Sequence, residues 1–142
     1  MPLVHIDVVE GRSDEQLAVL ADTVYQVERD VFSAPEDDRY IIITEHKPGR
    51  MFLGSTGLGY QRSSEAMVIQ ITEQNRDRDQ KEALYRTLAE QLRAAIGLRP
   101  EDLIVSVVAS KLEDWSFGLG RAQFLTGELG SVQNVSCRPL KL

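Results

Sequence analysis

Sulfur and histidine are scarce in this chain, and that scarcity removes several chemistries at once. Its one cysteine, Cys137, cannot close an internal disulfide, and with two histidines in all it offers no Cys/His cluster at zinc-ligand spacing. No apolar run approaches the ~18 residues that a membrane span requires. The opening Met-Pro-Leu-Val-His-Ile-Asp lacks the charged n-region, long apolar stretch and small-residue cleavage site of a secretory signal. Cytoplasmic residence is the expectation. Aromatic residues make up only 6% of the 142 positions, with a single tryptophan, so any aromatic grouping is conspicuous. Basic charge is also in deficit: the net charge of −6 argues against nucleic acid as a partner and sets any local group of arginines against the overall sign.

What is present is ordinary for a folded domain, 42% hydrophobic and 27% charged. The order within it repeats. Val4, Ile6 and Val8 alternate as in a strand. Ser13 and Gln16 then form a capping box, ahead of Leu17, Leu20, Ala21, Val24 and Val31 at helical spacing. After Pro35, residues 39–45 read as a second, buried strand. The second half runs the same way. Residues 66–72 read as a strand, Asp77 and Gln80 as a helix start, Leu84, Leu88, Leu92 and Ile96 as an apolar stripe, Gly97 as its C-cap, and residues 103–109 as the closing strand. Pro35-Glu-Asp and Pro100-Glu-Asp mark equivalent places, about 65 positions apart.

The expected fold is therefore α/β (α+β): a tandem of two β-α-β units, about 2–45 and 66–109, with parallel strands inside each unit. Four strands and two helices make a two-layer domain spanning 1–129, with both helices on one sheet face. A ferredoxin-like sheet shares the element order and is the competing topology. The helix-free face carries Ile42, Val68 and Ile104 and needs a cover, which oligomerisation would supply. Residues 46–65 form a glycine-rich connection, and residues 130–142 read as an extended tail.

Few residues suggest chemistry. Met1 before a small residue is normally removed, which would leave Pro2 with a free secondary amine at the head of an apolar strand. Desolvation lowers an α-amino pKa from ~7.7–8.0, so such an amine can act as base, acid or carbonyl-attacking nucleophile. Arg76 and Arg78 lie between the third strand and the second helix, where guanidinium groups can hold a carboxylate, although a solvated loop neutralised by its own aspartates would read the same. By pseudo-symmetry Met67 is the counterpart of Pro2, which would set both strand-to-helix loops near the same strand ends. Asp38 precedes a strand and could orient a water or a proton-transferring group, or simply shape a turn. Trp115 and Phe117, two apart among glycines, suggest apolar surface over a small pocket or packing beneath a loop. Gly54-Ser-Thr-Gly-Leu-Gly59 does not link a strand to a helix and is no phosphate loop.

Several of these segments recur together. Pro2-Leu3, Asp38-Arg-Tyr40, Thr56-Gly-Leu-Gly-Tyr60 with Arg62-Ser-Ser64, Asp114-Trp-Ser-Phe-Gly118, and Gly120-Arg121 through Phe124-Leu-Thr-Gly127 resemble the tautomerase superfamily. Within it they are most similar to the malonate semialdehyde decarboxylases. The resemblance runs from Pro2 to about Leu129. It implies a homotrimer acting on a small carboxylate-bearing substrate, without metal or organic cofactor. It also implies Pro2 as the catalytic amine and Asp38 as its supporting carboxylate. The decarboxylase pattern has two arginines one residue apart before the second helix. Arg76 matches the second of them, and Gln74 stands where the first would be, with Arg78 on the other side. Trp115, Phe117 and Phe124 would form the apolar wall of the pocket.

The activity this implies is decarboxylation of a small 3-oxo acid such as malonate semialdehyde, the amine either polarising the β-carbonyl or forming an iminium with it. The alternatives are keto–enol tautomerisation of 2-oxo acids, hydration or dehalogenation of small unsaturated acids, and a non-catalytic trimeric binding protein on the same scaffold.

Overall fold

Local chemistry closes both long helices as the spacing predicts. In α1 (Asp14–Phe32) the Gln16 N–H donates to Ser13 Oγ (3.2 Å), and the Ser13 N–H donates to Gln16 Oε1 (2.9 Å). In α2 (Arg78–Ile96) Asp77 and Gln80 make the same reciprocal pair at 2.7 and 3.2 Å. Each box satisfies two N–H groups that have no partner within the helix. Gly97 ends α2 in the left-handed region, where it costs nothing. Ser33 ends α1 in the same conformation at φ 55°, which a residue with a Cβ adopts less readily.

The computed structural model describes residues 2–129, so the tail expected at 130–142 lies outside the described residues. Four strands, β1 (Leu3–Val9), β2 (Tyr40–His46), β3 (Met67–Gln74) and β4 (Leu103–Ser110), form one sheet in the order β2-β1-β3-β4. β1 pairs parallel with β2 and β3 parallel with β4, as two β-α-β crossovers should. Both partners of each crossover are direct neighbours, which excludes the split arrangement of a ferredoxin-like sheet.

The two units meet antiparallel along β1 and β3, with Leu3 opposite Thr72 and Asp7 opposite Val68. This corrects the expectation that both strand-to-helix loops share one set of strand ends. Met67, the counterpart of Pro2, sits at the far end of the sheet. Pro2 instead lies beside the end of β3, so the loop carrying Arg76 comes to it from the other half of the repeat.

Both helices pack on one face. Val4, Ile6, Val8, Met67, Ile69 and Ile71 point inward from the central strands against Leu20, Val24 and Phe32 of α1 and Leu84, Leu88 and Leu92 of α2, all fully buried or nearly so. The opposite face carries Tyr40, Ile42 and Val108 at 40%, 48% and 42% exposure, the apolar open surface foreseen from the pattern. Among the described residues no helix is long and apolar enough to cross a membrane.

At the Met67 end a buried acid braces the long connection. Asp102 is wholly buried and accepts from the Ser63 N–H (2.7 Å) and Ser63 Oγ–H (2.6 Å), with Arg99 3.9 Å away. Arg62 adds hydrogen bonds to the Gly54 and Glu101 carbonyls. Removing one member of a buried charged network strands the rest, so Asp102→Ala should lower unfolding free energy by about 3 kcal/mol in urea titration. Ser63→Ala, which removes only one donor, should cost about 1 kcal/mol.

Candidate active site

The antiparallel register gathers four chain segments at one end of the sheet: the head of β1, the lead-in to β2, the end of β3 and the end of β4. Pro2 is buried there. Asp38, 2% exposed, follows a turn in which its own N–H donates to the Pro35 carbonyl at 3.0 Å. Gln74, 8% exposed, is the last residue of β3, and Arg76 follows in the loop, half-buried. Pro2, Asp38, Gln74 and Arg76 are thus brought to the same end. Arg78 is not among them: it occupies the first turn of α2 and faces solvent.

Two carboxyls that the sequence reading passed over complete this cluster. Glu28 of α1 and Glu73 of β3 are both fully buried. Arg76 lies 3.5 Å from Glu73 Oε1, and its guanidinium stands over the Phe32 ring at 5.0 Å. Glu73 Oε1 also accepts from the Gln74 N–H at 2.9 Å. A signal for both was present. Glu28 falls four residues after Val24 on the apolar stripe, and Glu73 two residues after Ile71 on the inward face of its strand. Each is a carboxylate in a register position reserved for hydrocarbon.

Crowding of acids sets their proton affinities. Burial, reinforced by repulsion from Glu73 and Asp38, pushes the Glu28 carboxyl up to about 8, while the charge of the chain's amino terminus pulls it down. Asp38 is also raised, first by burial and then by Glu73 and Asp37, with the amino terminus again opposing.

Next to the cluster lies a cavity of about 480 Å³, lined by Leu3, Tyr40, Thr72, Ser110, Asp114, Trp115, Ser116 and Phe117. Trp115 stacks on Phe117 (5.5 Å, 9° between planes), and Phe117 leans on Tyr40 at 5.7 Å. Phe124 backs this wall rather than lining it, meeting Phe117 edge-on at 5.5 Å while itself buried. Gln123 fixes the loop beneath, accepting from the Phe117 N–H (2.8 Å) and donating to the Gly118 carbonyl (2.7 Å). Wall and cluster are tied together: Trp115 Nε1 donates to Ser110 Oγ (2.8 Å), which donates to the Glu73 carbonyl (3.1 Å). Pro2 does not line the cavity, but its neighbour Leu3 does.

Comparison with known proteins agrees with this fold. Two family models, each described as tautomerase enzyme, match residues 38–118 and residues 2–61. A probable tautomerase of Bacillus subtilis (strain 168), YrdN, is 43% identical over 91% of this chain and all of its own length. Among solved structures, a malonate semialdehyde decarboxylase described through its decarboxylase and hydratase activities superposes with a TM-score of 0.85 at 41% identity, covering 89% of this chain and 98% of its own. A second malonate semialdehyde decarboxylase, inhibited by 3-bromopropiolate, gives 0.84 at 36% identity over 89% and 97% of the two chains.

The raised Glu28 carboxyl makes stability depend on pH with a definite sign. Its unfolded form ionises near 4.5, whereas the folded form holds its proton to about 8. Between those values the native state binds the extra proton, so this group makes the protein less stable as pH rises, by at most ~1.4 kcal/mol per pH unit. Urea unfolding across that window should show the slope. Glu28→Gln should flatten it and leave the variant more stable than wild type at alkaline pH.

Proposed function

The chain belongs to the tautomerase family and is an enzyme of that superfamily; from that premise we propose that it decarboxylates a small 3-oxo acid of the malonate semialdehyde type, using the amine of Pro2 exposed by removal of Met1. The observation that supports this reading is the β1–β3 register, which pairs Leu3, next to Pro2, with Thr72, two residues before Gln74; Leu3 and Thr72 both line the aromatic-walled cavity. The 41% identity to a malonate semialdehyde decarboxylase over 89% of the chain supports it.

In this mechanism the substrate carboxylate is held by the Arg76 guanidinium, with the Gln74 amide as a neutral second donor. The protonated Pro2 amine donates a hydrogen bond to the 3-oxo oxygen. The bond between C2 and the carboxylate carbon then breaks, its electron pair passes into the enolate, and CO₂ leaves as a neutral molecule. The amine stabilises the developing oxyanion where its charge appears. A proton delivered to C2 completes the aldehyde. Trp115 and Phe117 keep water from the departing carboxyl group, and a low-dielectric wall favours a step in which localised charge disappears. Asp38 supports the ammonium form of the amine.

The same groups would serve hydration of a small unsaturated acid, with Asp38 directing water, or tautomerisation of a 2-oxo acid, with the amine moving a proton. Gln74 favours keeping this second reading, because one arginine and one amide grip a carboxylate less firmly than two arginines. We also read the open apolar sheet face, with Ile42 and Val108, as the subunit contact of a homotrimer.

Intact mass spectrometry should find Met1 absent from most molecules, and a retained methionine would end the proposal. Pro2→Ala should lower kcat/KM by at least about 100-fold, whereas Arg76→Ala should raise KM most. A panel of 3-oxo, 2-oxo and unsaturated acids, with CO₂ release and enol formation followed separately, should give CO₂ from the 3-oxo acids. Turnover confined to the enol assay would transfer the assignment to tautomerisation.

A further inference from the structure

Trp115 is the single tryptophan of the chain, and its indole is held in two different ways. Its face stacks on Phe117, with 5.5 Å between centroids and 9° between planes. Stacking fixes the plane of a ring but lets it turn and slide within that plane. A hydrogen bond is directional, and an indole has one N–H to give. Trp115 gives it to Ser110 Oγ at 2.8 Å, and the Ser110 hydroxyl donates onward to the Glu73 carbonyl at 3.1 Å. The turn that brings the tryptophan back over the end of β4 is closed by two bonds. The Lys111 N–H donates to Asp114 Oδ2 (2.8 Å), and the Asp114 N–H donates to the Lys111 carbonyl (3.0 Å). At the far end of this relay, Glu73 is the residue whose carboxylate lies 3.5 Å from Arg76, and Gln74, next in β3, is the register partner of Ser110.

We propose that Ser110 is a positioning residue: through Trp115 it sets where the aromatic wall stands relative to the segment that holds the substrate carboxylate. The proposal rests on the reading of this cavity as the place where the carboxyl group leaves, and it gives Ser110 no contact with the reacting atoms. Loss of CO₂ disperses a localised charge, so the step gains from a dry surface held against the departing group and suffers when water reaches it. The indole excludes water only while its edge is fixed. Bonded through Ser110 to the main chain beside Gln74, it is held to the end of β3 as well as to the loop that carries it. Without the hydroxyl the indole keeps its stack but can turn in its plane, and its N–H takes water as a partner. That brings to the wall the water it is there to exclude. The grip on the carboxylate belongs to Arg76 and Gln74 and is left in place, so the effect falls on the chemical step and not on binding.

The test compares Ser110→Ala, which removes the hydroxyl, with Ser110→Thr, which keeps it, in the assembled, Met1-free protein with malonate semialdehyde as substrate. Ser110→Ala should lower kcat about 10-fold and leave KM within about 2-fold of wild type, and Ser110→Thr should recover most of the loss. Because the chain has one tryptophan, its indole N–H gives one cross-peak in a ¹H–¹⁵N spectrum. That proton should exchange slowly with water in wild type and Ser110→Thr, and at least about 10-fold faster in Ser110→Ala. The two residues should also be coupled. In a Trp115→Phe background, which has no N–H to place, Ser110→Ala should lower kcat no further. An equal loss of kcat in both backgrounds, or a folded Ser110→Ala protein with kcat unchanged, would overturn the proposal. Should Ser110→Ala not fold, the wild-type indole decides the matter: slow exchange supports the bond to Ser110, and exchange at the rate of a free indole refutes it. If no 3-oxo acid releases CO₂, the decarboxylase reading falls, and the same kcat comparison on the acid that is turned over still judges Ser110.

Discussion

The antiparallel seam between β1 and β3 is the constraint on which the site depends. Parallel crossovers within each half would, by themselves, only stack strands and leave their loops at separate ends. Pairing Leu3 with Thr72 folds the second half back against the first. The start of the chain then meets the exit of β3, and residues distant in sequence (Pro2, Asp38, Gln74, Arg76) share one neighbourhood. A slip of one residue at this seam would turn the inward side chains of the shifted strand outward, Val4 and Ile6 or Ile69 and Ile71, so core burial and site geometry are enforced by the same hydrophobic alternation.

That neighbourhood is unusual for its density of buried ionisable groups. Glu28, Glu73 and Asp38 are withdrawn from water at the Pro2 end of the sheet, with Arg76 3.5 Å from Glu73. A fold under pressure for stability alone would place hydrocarbon at Glu28 and Glu73. Perturbed acids collected beside a cavity are what a site handling protons and small anions requires. The aromatic wall of Trp115, Phe117 and Tyr40 supplies the complementary dry side, joined to the Glu73 main-chain carbonyl through Ser110.

Much of this was legible in the sequence because it is local. Both capping boxes, the glycine that ends α2, the four strands and the inward stripes depend on neighbours within a few residues, and they appear where Ser13, Asp77, Gly97 and the alternating valines and isoleucines place them. The likeness of the Asp114-Trp-Ser-Phe-Gly118 segment to the tautomerase superfamily agrees with a family model that runs to residue 118. What stayed hidden depends on long-range pairing. Nothing between residues 3 and 72 announces that β1 and β3 oppose each other, so the repeat invited a symmetric placement of Met67 and Pro2 that the seam forbids. Glu28 and Glu73 escaped notice because stripes are read by counting apolar residues, and an interior acid registers there only as a gap.

Met67 itself draws out a last consequence. It occupies the place in the second half that Pro2 occupies in the first, fully buried, with its nitrogen locked into a peptide bond. A chain joined from two like halves has one amino terminus, so only one of its two pseudo-symmetric ends could carry the terminal amine that the proposed reaction uses. At the opposite end Asp102, Ser63 and Arg62 instead brace the connection between the two halves.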